Sequence, residues 1–235
     1  MSPPVIIRMP PDIQSVNIGG QNIVFVDNFL QDPQALVEAA CQSRFEPSAT
    51  LAEQKGYPGL RAPAPAAYTQ TLAELLEPLI KVNFQVPEHL GIKVGLSAFS
   101  LTTTQPEDLG PLQRTPHFDA STPHCMAALL YLCDKTHGGT GFYRHNATGW
   151  QRITAENRER YLDVYHEEVN RRVPRARYFD RSDEQFTFLG MIPARVNRLV
   201  VYPGSLLHSA CVNPARSLLS DPRQGRLTVN TFCDF

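Results

Sequence analysis

The chain has no excess charge of either sign. Its 22 Lys and Arg stand against 23 Asp and Glu, a net of −1 over 235 residues, without the basic surplus of a nucleic-acid binder. DNA or RNA is therefore not expected as a partner. Nor is there a run approaching the roughly eighteen consecutive apolar residues of a membrane span, and Met1 to Asp12 (MSPPVIIRMPPD) lacks a basic region followed by an apolar one. The expectation is a cytoplasmic protein with no membrane partner. Cysteine is sparse: Cys41, Cys125, Cys133, Cys211 and Cys233 are odd in number, scattered and free of any C-x-x-C pair. A zinc ribbon, a dithiol redox motif and a disulfide framework are not indicated, and reduced structural thiols are expected. Internal repeats and low-complexity tracts are missing too, so nothing divides the chain. A single domain over residues 1–235 is expected, of a size that can bury one sizeable core.

What is present is a set of metal-ligating residues in a telling order. T-P-H-F-D (Thr115 to Asp119) contains an H-x-D pair, and about ninety residues later comes Y-P-G-S-L-L-H, ending at His208. On a β-strand, residues i and i+2 share a face, so His117 and Asp119 are expected to converge on one ion. Arg198 to Tyr202 (RLVVY) reads as a buried strand, and Pro203-Gly204 turns the chain to present His208 inward. Two His and one carboxylate on one side of a metal leave open positions for a cosubstrate and dioxygen, the facial arrangement of non-heme Fe(II) oxygenases. After Gly225, residues Arg226 to Phe232 alternate as a strand, with Arg226, Thr228, Asn230 and Phe232 on one face. An inward guanidinium is costly unless paired, and the distal carboxylate of a keto acid such as 2-oxoglutarate would pair it.

These motifs resemble the Fe(II)/2-oxoglutarate-dependent dioxygenases, nearest to the prolyl-hydroxylase-like branch, over about half the chain (Pro116 to Phe235, interrupted by an insertion). The resemblance implies a mainly β protein with flanking helices (α+β), built on a double-stranded β-helix of the jelly-roll or cupin-like kind. It implies Fe(II), 2-oxoglutarate and O2 as cofactor and cosubstrates. His117, Asp119 and His208 become the catalytic metal ligands and Arg226 the anchor of the distal carboxylate, with Thr228 and Asn230 on its face and Tyr131 assisting. Tyr131 is carried over from M-A-A-L-L-Y-L-C-D (Met126 to Asp134), which looks like the family strand that follows H-x-D. H-G-G-T-G-F-Y-R-H (His137 to His145) resembles the Gly-Gly turn into a strand bordering substrate, which makes Phe142, Arg144 and His145 substrate candidates. The spacing from His208 to Arg226 is longer than the family's usual one, so Arg216 stands as a rival anchor. The implied activity is hydroxylation of a C–H bond of an amino acid, a small metabolite or a protein side chain. Demethylation or desaturation at the same site, and a non-catalytic metal-binding sensor or scaffold, are the alternatives.

The rest of the chain reads as support. Residues 12–30 form a hairpin through Gly19-Gly20, and a helix follows from Asp32 as N-cap and Pro33 to about Arg44, with Ala35, Leu36, Ala39 and Ala40 as its stripe. Glu46 to Ala67, rich in Pro, Gly and Ala, reads as an ordered loop from which Tyr57 or Arg61 can reach the site or merely decorate the surface. A second helix is expected over Thr71 to Val82, completing N-terminal helical support over about 30–85. Gly95 to Thr104 reads as a strand, and Gln105 to Arg114 as a loop that, by the resemblance, covers the mouth of the site. The insertion (about 150–183) centres on an amphipathic helix with Leu162, Tyr165 and Val169 on one face. It is a solvated surface helix, a substrate lid or the contact of a homodimer. His89, His124, His137, His145 and His166 are the other histidines that could compete for a metal.

Overall fold

Gly19 and Gly20, both at positive φ (59° and 88°), close a two-residue turn between β1 (Ile13–Ile18) and β2 (Gln21–Val26). Left-handed backbone at both positions suits the right-handed twist of the strands it joins. The computed structural model describes residues 6–48 and 56–235; part of the N-terminal segment and part of the Glu46 to Ala67 segment lie outside the described residues.

Helix α1 (Gln34–Gln42) begins where expected, and the carboxylate of Asp32 accepts the amides of Gln34 and Ala35 at 3.0 and 3.3 Å. Its buried stripe is Leu36, Val37 and Ala40, rotated by about one position from the expected one. Next come β3 (Glu46–Pro47), the edge of its sheet, and β4 (Gly59–Pro63), which reaches past it, so the region read as a loop contains two strands. Proline obscured them: it lacks an amide for a sheet interior and is tolerated at an edge, where Pro47 and Pro63 lie. Helix α2 (Ala66–Phe84) is longer at both ends than its sequence pattern suggested, with Tyr68, Leu72, Leu76, Leu79 and Ile80 buried.

The remaining strands are β5 (Lys93–Thr102), β6 (Met126–Tyr131), β7 (Gly138–His145), β8 (Phe186–Pro193), β9 (Arg198–Pro203), β10 (His208–Val212) and β11 (Arg226–Asp234). Helix α3 (Arg158–Arg171) lies within the insertion and the short α4 (Pro214–Ser217) precedes β11. All pairings are antiparallel. An eight-stranded sheet runs β1-β2-β9-β6-β11-β5-β4-β3, and a three-stranded sheet runs β10-β7-β8. The protein is thus mainly β with flanking helices.

Side-chain alternation assigns each face. In β6, Ala128 and Leu130 join Leu101, Leu227 and Val229 beneath Leu36 and Leu72 of the helices. The alternate residues Ala127, Leu129 and Tyr131 face Phe142 and Ile192 of the smaller sheet. On that sheet's other side, Tyr143 and Phe186 pack against Tyr161 and Tyr165 of α3. The layers are therefore α1 and α2, the large sheet, the small sheet and α3. Two of the three residues expected on the buried face of α3, Leu162 and Val169, are only partly covered, and Tyr161 carries the packing with Tyr165.

Gly138 opens β7 at φ +101°, and a Cβ there would lie 1.7 Å from the carbonyl oxygen of Cys211. Gly138→Ala is expected to lower unfolding stability by about 3 kcal/mol through combined backbone strain and main-chain displacement. Urea unfolding monitored by circular dichroism measures it.

Candidate metal centre

His117 and Asp119 lie on an extended segment between elements, not on a strand of the sheet as expected. Backbone hydrogen bonds to the Gly204–His208 turn hold that segment in place. The amide of His117 donates to the carbonyl of His208 at 2.9 Å and is answered by the His208 amide at 2.8 Å, while the Asp119 amide donates to Gly204 O at 2.7 Å. One short ladder thus fixes all three side chains relative to one another. The turn is pinned from its other side, where Leu207 N donates to Gln151 O and Ile153 N to Ser205 O, both at 2.8 Å. Gly204 is required for the approach: a Cβ there would stand 3.3 Å from Cβ of Asp119 and 3.2 Å from Sγ of Cys125.

One ligand atom from each of His117, Asp119 and His208 lies within 4.8 Å of the others. Nε2 of His208 is 3.5 Å from one carboxylate oxygen of Asp119, and Nε2 of His117 is 3.9 Å from the other. The His208 tautomer is set by its surroundings. Nδ1 lies 2.8 Å from the carbonyl oxygen of Leu206, which can only accept, so Nδ1 carries the proton and Nε2 keeps its lone pair. The ring of Tyr202 stands edge-on to that of His208 with centroids 4.9 Å apart, and Phe142 packs edge-on to Tyr202 at 5.2 Å. The cluster grades from closed to open: the side chain of His208 is 6% exposed, that of Asp119 17% and that of His117 54%.

Burial pushes the Asp119 carboxyl up to about 6, against the pull of His117 and Arg61, and holds His208 down to about 4. His117 is shifted in the same direction, first by desolvation and then by His208, though a side chain 54% exposed is desolvated less than that of His208. Above pH 6 the site therefore presents two neutral imidazoles and a carboxylate, the protonation state a divalent metal needs. Metal affinity is expected to be flat above about pH 7 and to fall roughly tenfold per unit below about 6, as protons compete for Asp119 alone, and more steeply near 4. Competition titrations of Zn(II) from pH 4 to 8 test this. A two-proton slope centred at the ordinary histidine value contradicts it.

The second part of the site lies deeper. Arg226 opens β11, in register with Thr102 of β5, and is 2% exposed. Its Nη2 donates to Gly139 O at 3.3 Å, and its buried Nε has no hydrogen-bond partner among the described residues. An arginine keeps its charge at any accessible pH; desolvation by burial opposes that charge here, and Tyr57, Tyr131, Cys133 and Cys211 offset it only where they are themselves ionised, well above neutral pH. Its Cζ lies 5.7 Å from the ring centre of Tyr131, whose own hydroxyl is 2.5 Å from Oγ1 of Thr140. Thr228 and Asn230 share the face of Arg226, and the Thr228 hydroxyl donates to Oδ1 of Asn230 at 2.7 Å. Arg216 is exposed on α4.

Of the substrate candidates, Phe142 pairs in register with His208 and lies one ring away from it. Arg144 is exposed. His145 is fully buried, with Nε2 2.8 Å from Glu168 of α3 and Nδ1 3.0 Å from Thr148, between the rings of Tyr161 and Phe186. Neighbours along a strand face opposite ways, so His145 points into the α3 layer while Phe142 points inward. Among the described residues, none of His89, His124, His137, His145 and His166 joins the cluster. The insertion braces the site from behind. Tyr165 OH is 2.5 Å from Oγ1 of Thr115, and Tyr161 packs edge-on to Phe118 at 5.9 Å.

Two residues of this interior are not among the sequence candidates: Thr140 and Tyr202. Each sits on the inward parity of its strand, the signal that could have found it. Among the described residues, no helix is long and apolar enough to cross a membrane.

Among solved structures the chain is similar to HygX from Streptomyces hygroscopicus, described with nickel, 2-oxoglutarate and hygromycin B bound. The identity is 12% and the TM-score 0.48, over 91% of this chain and 83% of that one. No curated protein matches. One family model does match, from residue 9 to residue 233, and over that span the chain belongs to the family of unknown function DUF6445.

Proposed function

We propose that this protein is an Fe(II)- and 2-oxoglutarate-dependent oxygenase that hydroxylates a C–H bond, on a double-stranded β-helix of the prolyl-hydroxylase-like plan. The observation that carries this reading is the pairing of two features. A His, His, carboxylate set with the His208 tautomer fixed lies in the same interior as a buried arginine whose Nε has no partner among the described residues. The donor set fits a ferrous ion held facially, and the unpaired guanidinium fits a carboxylate. A structural metal site would have no use for the arginine, because an uncompensated buried cation is destabilising.

His117, Asp119 and His208 would hold the ion, and Arg226 with Tyr131 the distal carboxylate of the keto acid. When bound, ion and keto acid together supply the oxidising chemistry and give succinate and carbon dioxide. This chain's residues do the rest. Leu206 O keeps the lone pair of His208 directed at the ion, Gly204 admits Asp119, and Phe142 with Tyr202 keeps water from the inner wall. Thr140 holds the Tyr131 hydroxyl in place beside Arg226.

Succinate formation from 2-oxoglutarate is expected to depend on Fe(II) and oxygen even without primary substrate, and to fall about a hundredfold or more in Asp119→Ala. A sensor or scaffold built on the same metal set would bind the ion and form no succinate.

A further inference from the structure

A second arginine faces the same interior with no carboxylate partner among the described residues. Arg61 is the central residue of β4, between Leu60 and Ala62, and Ala62 packs into the layer under the helices. Parity therefore sends Arg61 to the inner face. Register places Arg61 opposite Ser100, Ser100 opposite Thr228, and Thr228 opposite Tyr131, one continuous row across four strands on the face that bears Arg226.

Nε of Arg61 is buried without a hydrogen bond among the described residues, and so is the hydroxyl of Ser100, which is 0% exposed. No described carboxylate comes within salt-bridge distance of Arg61. Arg61 and Asp119 also act on one another's charge, in keeping with the inner face that parity and register give Arg61. Its Cζ rests 5.0 Å from the ring centre of Tyr57, and the Tyr57 hydroxyl is fixed 2.7 Å from Oγ1 of Thr102, the register partner of Arg226. The arginine is thus propped from behind and its fork is left for something else. Buried donors in folded proteins are almost always paired, and two unpaired donors in one row mark a place where a ligand supplies the acceptors.

From this row we infer that the primary substrate carries a carboxylate, held by Arg61 on the inner face that also bears Arg226. The inference rests on the proposed function and narrows its substrate to acidic molecules. β4 and β11 flank β5, so the two guanidinium groups hang from strands about 10 Å apart. A keto acid that chelates the ion and reaches Arg226 engages one of them and leaves the other. A carboxylate suits the remaining site better than a phosphate, because one planar cation matches one planar monoanion whereas a dianion calls for a second positive charge.

The test uses the full chain loaded with Zn(II) and saturated with 2-oxoglutarate, with sodium propionate as probe. The Nε–H resonance of Arg61, assigned by its loss in Arg61→Lys, is expected to move on adding propionate and to ignore propionamide. In parallel, propionate should raise the melting temperature of the wild type and of Arg61→Lys, and should raise that of Arg61→Gln by less than a third as much. Movement of the Arg61 resonance with 2-oxoglutarate and no further change with propionate overturns the inference, since Arg61 then belongs to the cosubstrate. A response to inorganic phosphate alone, or to neither anion, overturns it as well. If Arg61 answers propionate while the Arg226 resonance ignores 2-oxoglutarate, the proposed function fails and the carboxylate site stands.

Discussion

Arg226→Met is expected to weaken 2-oxoglutarate binding about a hundredfold or more, a loss of ~3 kcal/mol, and to leave the ligand-free protein as stable as the wild type or more stable. The two effects have one cause. Arg226 is 2% exposed and carries a full charge whose Nε has no partner. Without a ligand that charge is a burden, and replacing buried ionic groups with apolar ones of similar volume is commonly neutral or stabilising by about 1–4 kcal/mol. With the keto acid bound, the same charge would be its anchor. Calorimetric titration and urea unfolding of the metal-loaded and metal-free variant measure the two signs separately. A variant that binds the keto acid normally, or that loses stability because the guanidinium served only the fold, contradicts the assignment.

Asp119→Asn is the second large effect, and it too carries opposite signs. The carboxyl is raised from its ordinary value of 3.8 to about 6 by burial, so in the metal-free protein its stabilising contribution is complete below the unfolded pKa and is lost as pH rises through the folded one. At pH 7.5 the ionised group costs on the order of 3 kcal/mol, with a side chain only 17% exposed. Asparagine removes that cost, so the metal-free variant should melt higher than the wild type at pH 7.5 and lose this advantage near pH 4. Its affinity for Fe(II) should fall at least about a hundredfold, because an amide oxygen is a poor substitute for a carboxylate at a divalent ion. Melting curves of metal-free protein at the two pH values, with a metal titration at the higher, decide both parts.

How much of this was legible in the sequence depended on whether a residue's neighbours enforced its direction. His117, Asp119 and His208 were readable as a set because a turn at Pro203-Gly204 must redirect the chain, and the structure brings their ligand atoms together. Their local setting was misjudged: H-x-D sits on a bridged extended segment, and backbone bonds to Gly204 and His208 do the work expected of a sheet. Arg226 was readable because strict alternation from Leu227 to Phe232 leaves it one face. Arg61 was readable only as a loop residue that could reach the site, since Pro58, Pro63 and Pro65 give β4 the composition of a loop and the strand is defined by its pairing with β5 rather than by its own residues. His145 was placed toward substrate by its position after the Gly-Gly turn. Parity along β7 and the carboxylate of Glu168 send it into the α3 layer instead.

One iron and one keto acid are expected to meet between the 117/119/208 cluster and Arg226. Anaerobic addition of Fe(II) and then 2-oxoglutarate to the metal-free protein tests it most directly. The expected result is one tightly held iron per chain and a visible charge-transfer band that appears only when both are present, is lost in Asp119→Ala, and needs far more 2-oxoglutarate in Arg226→Met. Iron uptake without a band, or a band whose 2-oxoglutarate dependence ignores Arg226, contradicts it.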